Sequence, residues 1–281
     1  MPHLRRIYLL PPDQEDAAVA LLWMAGTLGV QSTTATDGRL RLEAWFPLET
    51  EAFDDSMGMI PGAELEIEDV MPDADWFATW RERAQPFPVG RSLYLDPREP
   101  EDATPEIPEG RRLLRLPARA AFGTGSHEST SLALELLEDA DLQGRRVIDV
   151  GTGTGVLAFA ALAFGAGSVT GFDVDPAAPF HARDNSALNG LHPRLFAGRL
   201  AALRDRPLFD LALVNVVPEQ ILPEMPALVR LLRPGAEVIL SGILAERGRQ
   251  VLDRMRGLGF VERDRREAGD WVAFRVGREP G

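Results

Sequence analysis

Apolar positions recur along the chain with two different spacings, and the places where the spacing changes outline its elements. "RRIYLL" alternates like a strand. "DQEDAAVALLWMAG" has helical spacing, with Asp13 placed to cap it, acids in its first turn and Gly26 as a stop. "GVQSTTA" and "RLRLEAWF" flank Asp37-Gly38, which predicts a hairpin. A short helix near "LETEAFDDS" and a strand over "AELEIEDV" complete the order βαββαβ, the ferredoxin-like split unit. That order is compatible with many roles. With no glycine loop and no acid–base cluster, the segment reads as a recognition or scaffold domain.

"ADWFATWRERAQ" predicts a helix with Trp76, Phe77 and Trp80 on one side, facing a packing neighbour. "DPREPEDATPEIPEG", rich in proline and acids, predicts an exposed connection. From residue 127 the pattern becomes a regular alternation. Helices over "ESTSLALELLEDA", "VLAFAALAFG", "AAPFHARDNSALNG" and "PEQILPEMPALVRLL" alternate with strands over "RRVIDV", "SVTGFDV", "RLFAG", "FDLALVNV" and "AEVILSGIL". A further helix runs to about Leu258. This predicts a mostly parallel sheet covered on both faces. "FVERDRRE" and "DWVAFRVG" close the chain as a hairpin, adding an antiparallel last strand.

Composition narrows the chemistry. The chain has 281 residues, 45% of them hydrophobic, enough for one large domain or two ordinary ones. It has no apolar run of about 18 residues, so no membrane span is expected. Its N-terminus has no signal-peptide apolar region, and a cytoplasmic location is expected. There is no cysteine, which removes disulfides, thiolate nucleophiles and zinc–cysteine sites. The four histidines show no metal-binding spacing and read as surface or cap residues, so no metal is expected. All 30 basic residues are arginine, so no lysine can form a Schiff base. A net charge of −13 disfavours direct contact with nucleic acid and favours a basic protein partner.

The candidate chemistry sits in two polar loops. In "VIDVGTGTGVLA" an apolar strand ends at Val150, and Gly151, Gly153 and Gly155 turn the chain into a helix. The spacing G-x-G-x-G departs from the dinucleotide fingerprint G-x-G-x-x-G. It is similar to the loop of S-adenosylmethionine-dependent methyltransferases. Asp173 ends the next strand, where a carboxylate can accept from ribose hydroxyls. Asp175 precedes Pro176, a helix-cap pattern. Asn215 ends the strand "FDLALVN", at the sheet edge where ligands bind. It suits either holding an amine or capping the following helix. The second loop, "AFGTGSHEST", leads a helix toward the same edge. Within it Ser126 or Ser129 would cap, and His127 would be a structural first-turn residue.

Together these segments resemble the ribosomal protein L11 methyltransferases (PrmA). The resemblance runs from the N-terminal domain through "DWFATWRERAQP", "AFGTGSHEST", "VIDVGTGTGVLA", "GFDVDP" and "NVVPEQILPEMPALVRLLRPGAEVILSGIL" to "GDWVAFRV". It implies an α/β, Rossmann-like methyltransferase domain at 111–281 with an antiparallel last strand. A ferredoxin-like substrate-recognition domain at 1–70 and a helical linker at 71–110 would precede it. It implies that Thr130, Gly151, Asp173 and Asn215 contact S-adenosylmethionine, with Phe122 and Gly153 close by. Asn215 would also hold the incoming amine. The implied substrate is a basic ribosomal protein at the base of the large-subunit stalk. It would be methylated on lysine side chains or its N-terminal amine, by a monomeric enzyme. Two stretches depart from the family pattern, Pro117–Ala120 and Val216–Pro218. They leave open a second reading, the same fold with another protein or small-molecule acceptor.

Overall fold

A computed structural model describes residues 3–35, 37–48, 57–71, 84–117, 127–203 and 205–278. The chain divides into two compact units, Met1–Ala84 and Gln85–Gly281.

The first unit holds four antiparallel strands, β1 (His3–Leu10), β2 (Gly29–Thr34), β3 (Leu40–Pro47) and β4 (Glu64–Met71). Their spatial order is β2-β3-β1-β4, and α1 (Glu15–Met24) connects β1 to β2. This is the ferredoxin-like order. Alternation along β1 and β3 sends Tyr8, Leu10, Leu42, Ala44 and Phe46 into a core with Ala18 and Leu22 of α1. Asp13 does not cap α1. Pro11 and Pro12 fix their φ angles and lead the chain into a 3-10 turn, Pro12–Gln14, before the helix begins. The Asp13 carboxylate instead accepts from the Gln14 side chain at 3.1 Å. The helix expected near 48–56 falls almost wholly outside the described residues, as do Trp76, Phe77 and Trp80.

The second unit opens with three short strands that the sequence pattern did not show. These are β5 (Phe87–Val89), β6 (Leu93–Asp96) and β7 (Arg112–Arg115), in the order β5-β6-β7. The acidic, proline-rich segment between β6 and β7 is solvent-facing but tied down. Buried Asp96 accepts from Arg98 Nε at 2.8 Å and Nη2 at 3.0 Å. Arg115 donates to the carbonyls of Pro100 and Asp102.

The main sheet has seven strands, β8 (Arg146–Val150), β9 (Ser168–Asp173), β10 (Arg194–Ala197), β11 (Phe209–Asn215), β12 (Leu232–Leu244), β13 (Phe260–Ala268) and β14 (Trp271–Arg278). Their order is β10-β9-β8-β11-β12-β14-β13. The first five are parallel, and β14 runs antiparallel to both neighbours. Among the described residues six helices cover it: α2 (Glu128–Glu138), α3 (Val156–Ala163), α4 (Ala178–Asn189), α5 (Pro218–Ile221), α6 (Met225–Arg230) and α7 (Gly248–Arg256). Alternate strand residues feed two cores. Val147, Leu211, Leu213 and Ile239 pack with α2 and α3, while Ile148, Ala212, Val214 and Val238 pack with α5, α6 and α7. Among the described residues no helix is long and apolar enough to cross a membrane.

The single helix expected over 218–232 is two. Pro223 stands in the break and Pro226 opens the second piece. A proline inside a helix removes a donor and clashes with the preceding turn. Strand order reverses between β8 and β11, and open sheets of this kind bind ligands at the carboxyl ends of strands flanking such a point.

Candidate functional site

Four strands bring residues to that reversal. β8 delivers the glycine loop, β9 delivers Asp173, β11 delivers Asn215 and β12 delivers Ser241. The loop is pinned to β9 through its backbone. Gly151 and Thr152 N–H both donate to the Phe172 carbonyl at 3.0 Å, and Gly153 N–H donates to Asp173 Oδ2 at 3.0 Å. Gly151 has φ +71°, and a Cβ there would lie 2.7 Å from Val216 Cγ2. Only glycine allows the loop to sit this close to the residue after Asn215.

Asp173 and Asp175 do different work. Asp173 Oδ1 also accepts from the Asp175 N–H at 3.0 Å. Each carboxylate oxygen has more than one acceptor site, so half-buried Asp173 retains capacity for hydroxyl donors. Asp175 is not the helix cap, which falls at Ala177 with no side-chain hydrogen bond; its Oδ1 accepts from the Ala177 N–H at 2.8 Å, in the turn leading to α4.

Asp149, which the sequence reading did not single out, lies beneath the loop at 1% exposure. Its Oδ2 accepts from the Thr152 hydroxyl at 2.7 Å, and its Oδ1 has no partner among the described residues. Burial pushes its pKa up to about 7. The Thr152 hydrogen bond and the backbone N–H of Ala158 oppose that rise, and the charge of Asp173 adds to it.

Asn215 does not cap the following helix. The cap position is Val217, with no side-chain hydrogen bond. Asn215 Nδ2 instead donates to Thr130 Oγ1 at 3.1 Å. That contact leaves Oδ1 buried and without a partner among the described residues. An unpaired buried acceptor costs about 1–3 kcal/mol, which an incoming N–H donor would recover. Thr130 is fully buried in the first turn of α2. The cap of α2 is His127 rather than a serine, because Ser129 N–H donates to His127 Nδ1 at 3.2 Å. The His127 ring meets Trp271 edge-on at 4.7 Å. Ser241 donates its hydroxyl to the Ser129 carbonyl at 2.6 Å.

The structure thus brings Thr130, Gly151, Gly153, Asp173 and Asn215 to one sheet edge. Phe122 and Ser126 lie outside the described residues. The same edge also holds Asp149, Thr152 and Ser241, which the sequence reading did not single out. Only Asp149 left a sequence signal, as an acid inside the apolar run "RVIDV".

This edge offers an orphaned buried acceptor, a carboxylate with spare acceptor capacity, and a loop pressed close by glycine. Such a set fits a ligand that carries an amine and vicinal hydroxyls, as S-adenosylmethionine does. Comparison with known proteins agrees. Residues 29–279 match the family described as ribosomal protein L11 methyltransferase (PrmA). A ribosomal protein L11 methyltransferase of Pseudomonas paraeruginosa is 35% identical over 270 residues, covering 89% of this chain and 90% of that protein. One from Azotobacter vinelandii is 34% identical over 292 residues, covering 97% and 98%. The crystal structure of a ribosomal protein L11 methylase from Lactobacillus delbrueckii subsp. bulgaricus superimposes with a TM-score of 0.63 at 32% identity, covering 69% of this chain and 99% of that one. A match across this much of the chain, joined to the glycine loop, Asp173 and Asn215 at one sheet edge, places the chain in the ribosomal protein L11 methyltransferase family.

Proposed function

We propose that this protein transfers methyl groups from S-adenosylmethionine to amines of ribosomal protein L11. The observation that carries the reading is Asn215, whose amide is oriented by Thr130 so that a buried oxygen is left open. The family and the printed names of its relatives supply the substrate.

S-adenosylmethionine, when bound, supplies an electrophilic methyl group on a sulfonium. The chain's own task is then to bind and orient. Gly151 and Gly153 offer close backbone, and Asp173 offers a carboxylate to ribose hydroxyls. Thr130 holds Asn215, and Asn215 Oδ1 accepts from an amine. The resemblance to the family reads Phe122 into the same set. No lysine, cysteine or metal has a role in this scheme. Orientation of two reactants in one site can be worth roughly 7–11 kcal/mol at best.

The acceptors in this reading are lysine side chains and the N-terminal amine. A lysine reacts only as the neutral amine, and its ordinary pKa is about 10.4. An amide acceptor can hold the N–H without favouring the ammonium as a carboxylate would. The ferredoxin-like unit holds the protein substrate, near the stalk base of the large subunit. The net charge of −13 suits a basic protein and disfavours direct contact with nucleic acid. The enzyme acts as a monomer in the cytoplasm.

Intact-mass spectrometry of purified L11 after incubation with the protein and S-adenosylmethionine tests this. Mass increments of about 14 Da per methyl are expected. Calorimetric binding of S-adenosylhomocysteine without any increment on L11 would retain the cofactor and remove the substrate.

A further inference from the structure

We propose that Ser241 is a positioning residue of the transfer site, acting through the first turn of α2 on Asn215; the proposal rests on the functional reading above. Ser241 lies beside Asn215 in the β11–β12 register. It is 1% exposed, so its hydroxyl has no route to a substrate. That hydroxyl donates to the Ser129 carbonyl at 2.6 Å, and the next residue, Thr130, accepts from Asn215 Nδ2 at 3.1 Å. The four residues form a closed ring: strand pairing joins Ser241 to Asn215, and two hydrogen bonds return through the helix.

The backbone of β12 is shaped for this contact. Its register with β14 shifts between Leu240 and Ile243, at Ser241-Gly242. Irregularities of this kind re-aim a side chain. Gly242 has φ +76°, and a Cβ there would sit 3.2 Å from the backbone N, C and O of Val216. One irregularity therefore serves two contacts: Ser241 reaches α2, and the chain leaving Asn215 closes against Gly242.

The apolar face of α2, including Leu132, Leu136 and Leu137, holds the helix on the sheet. Apolar packing is non-directional and tolerates small slides. A hydrogen bond is directional and sets the height of the first turn. If the turn shifts, Thr130 Oγ1 leaves Asn215 Nδ2, and the amide is free to rotate and lose its single acceptor orientation.

The test compares Ser241→Ala, Ser241→Thr, Thr130→Val and the Ser241→Ala/Thr130→Val double variant in the full chain. Three quantities are read: amide exchange of the α2 first turn without ligand, the calorimetric Kd for S-adenosylhomocysteine, and kcat and KM on L11. Ser241→Ala should speed exchange in that turn. It should also worsen Kd or kcat roughly three- to tenfold, the size of one lost hydrogen bond. Ser241→Thr keeps the hydroxyl and should stay within about twofold of wild type. The double variant should lose no more than about twofold beyond the worse single variant, because both act through one contact. Should Ser241→Ala not fold, Ser241→Cys, of similar size and a weaker donor, takes its place. Unchanged exchange in α2, multiplicative losses in the double variant, or equal damage from Ser241→Thr would each overturn the proposal. If wild type binds no S-adenosylhomocysteine, the functional reading falls, and the exchange measurement still decides whether Ser241 holds the turn.

Discussion

Replacing Asp149 with asparagine should remove a pH-dependent loss of stability from the second unit. The folded carboxyl has its pKa pushed up to about 7, chiefly by burial. In the unfolded chain it returns to about 3.9. Below pH ~4 the group is protonated in both states and contributes no pH dependence. Between ~4 and ~7 the unfolded state releases the proton and the folded state retains it, so stability falls as pH rises. One pH unit is worth about 1.4 kcal/mol, and roughly three units give about 4 kcal/mol lost by neutral pH. The carboxyl is fully buried, so little solvent screening reduces that figure. Asparagine cannot ionise, and its carbonyl can still accept from Thr152. Altered hydrogen bonding in the variant adds only an offset that does not change with pH, so the slope of the difference decides. Native-state hydrogen exchange of β8 and β11 amides reads the second unit by itself. Wild type and variant should diverge by about 1.4 kcal/mol per unit between pH 5 and 7, and run parallel above pH ~8. A difference constant from pH 5 to 8 would mean that Asp149 is ionised in the native protein throughout, and that its burial is compensated by something other than a proton.

Three further outcomes are expected. Gly151→Ala should destabilise the second unit by about 1–2 kcal/mol from its left-handed backbone alone; trimming Val216 to alanine alongside it should relieve the clash but not that backbone cost, as a thermal melt of both variants will show. Asp173→Ala should weaken S-adenosylhomocysteine binding by about 1–3 kcal/mol, whereas Asp175→Ala should act mainly on stability, by about 0.5–1.5 kcal/mol as one lost hydrogen bond in the turn before α4; calorimetry showing the reverse would exchange their roles. Asn215→Asp should lower turnover near neutral pH and regain part of it toward the lysine pKa, because a carboxylate favours the ammonium; a pH–rate profile merely displaced downward would assign Asn215 to cofactor binding alone.

The parts of the site that were legible in the sequence are those built by local chain geometry. A strand, a glycine turn and a helix follow one another without interruption at Val150–Val156, and Asp173 ends the next strand. Asn215 was legible as a position but not as a role. The cap alternative fails for a reason already in the sequence: proline favours the first helical position, so Pro218 opens the helix and puts its cap at Val217, two residues past Asn215. The helix break at Pro223 was likewise visible and was outweighed by apolar spacing. Ser241 could not have been found, because its partner Ser129 lies 112 residues away and the contact depends on a bulge set by β14. Strands β5 to β7, of three and four residues, are too short to show a period. His127 as a cap escaped because serine, threonine, aspartate and asparagine are the usual residues there.

The three polar groups at this sheet edge differ in a way that bears on the reaction. Asp149 is buried and holds its proton up to about pH 7. Asp173 is half-buried and accepts from two backbone N–H groups. Asn215, half-buried and with its Oδ1 unpaired among the described residues, has no charge at all. A sulfonium donor and a neutral amine carry one positive charge between them, and so do a thioether and a methylated ammonium. The total charge does not change on transfer, but its position does. If the acceptor is a lysine held at Asn215, as proposed, a carboxylate at 215 would stabilise it as an ammonium before transfer, and that form has no lone pair to attack with. A neutral amide can fix the direction of the amine without selecting its unreactive form. On this view the Thr130 contact is what makes an amide suitable: it engages the donor end of Asn215 and leaves only the acceptor to face the site.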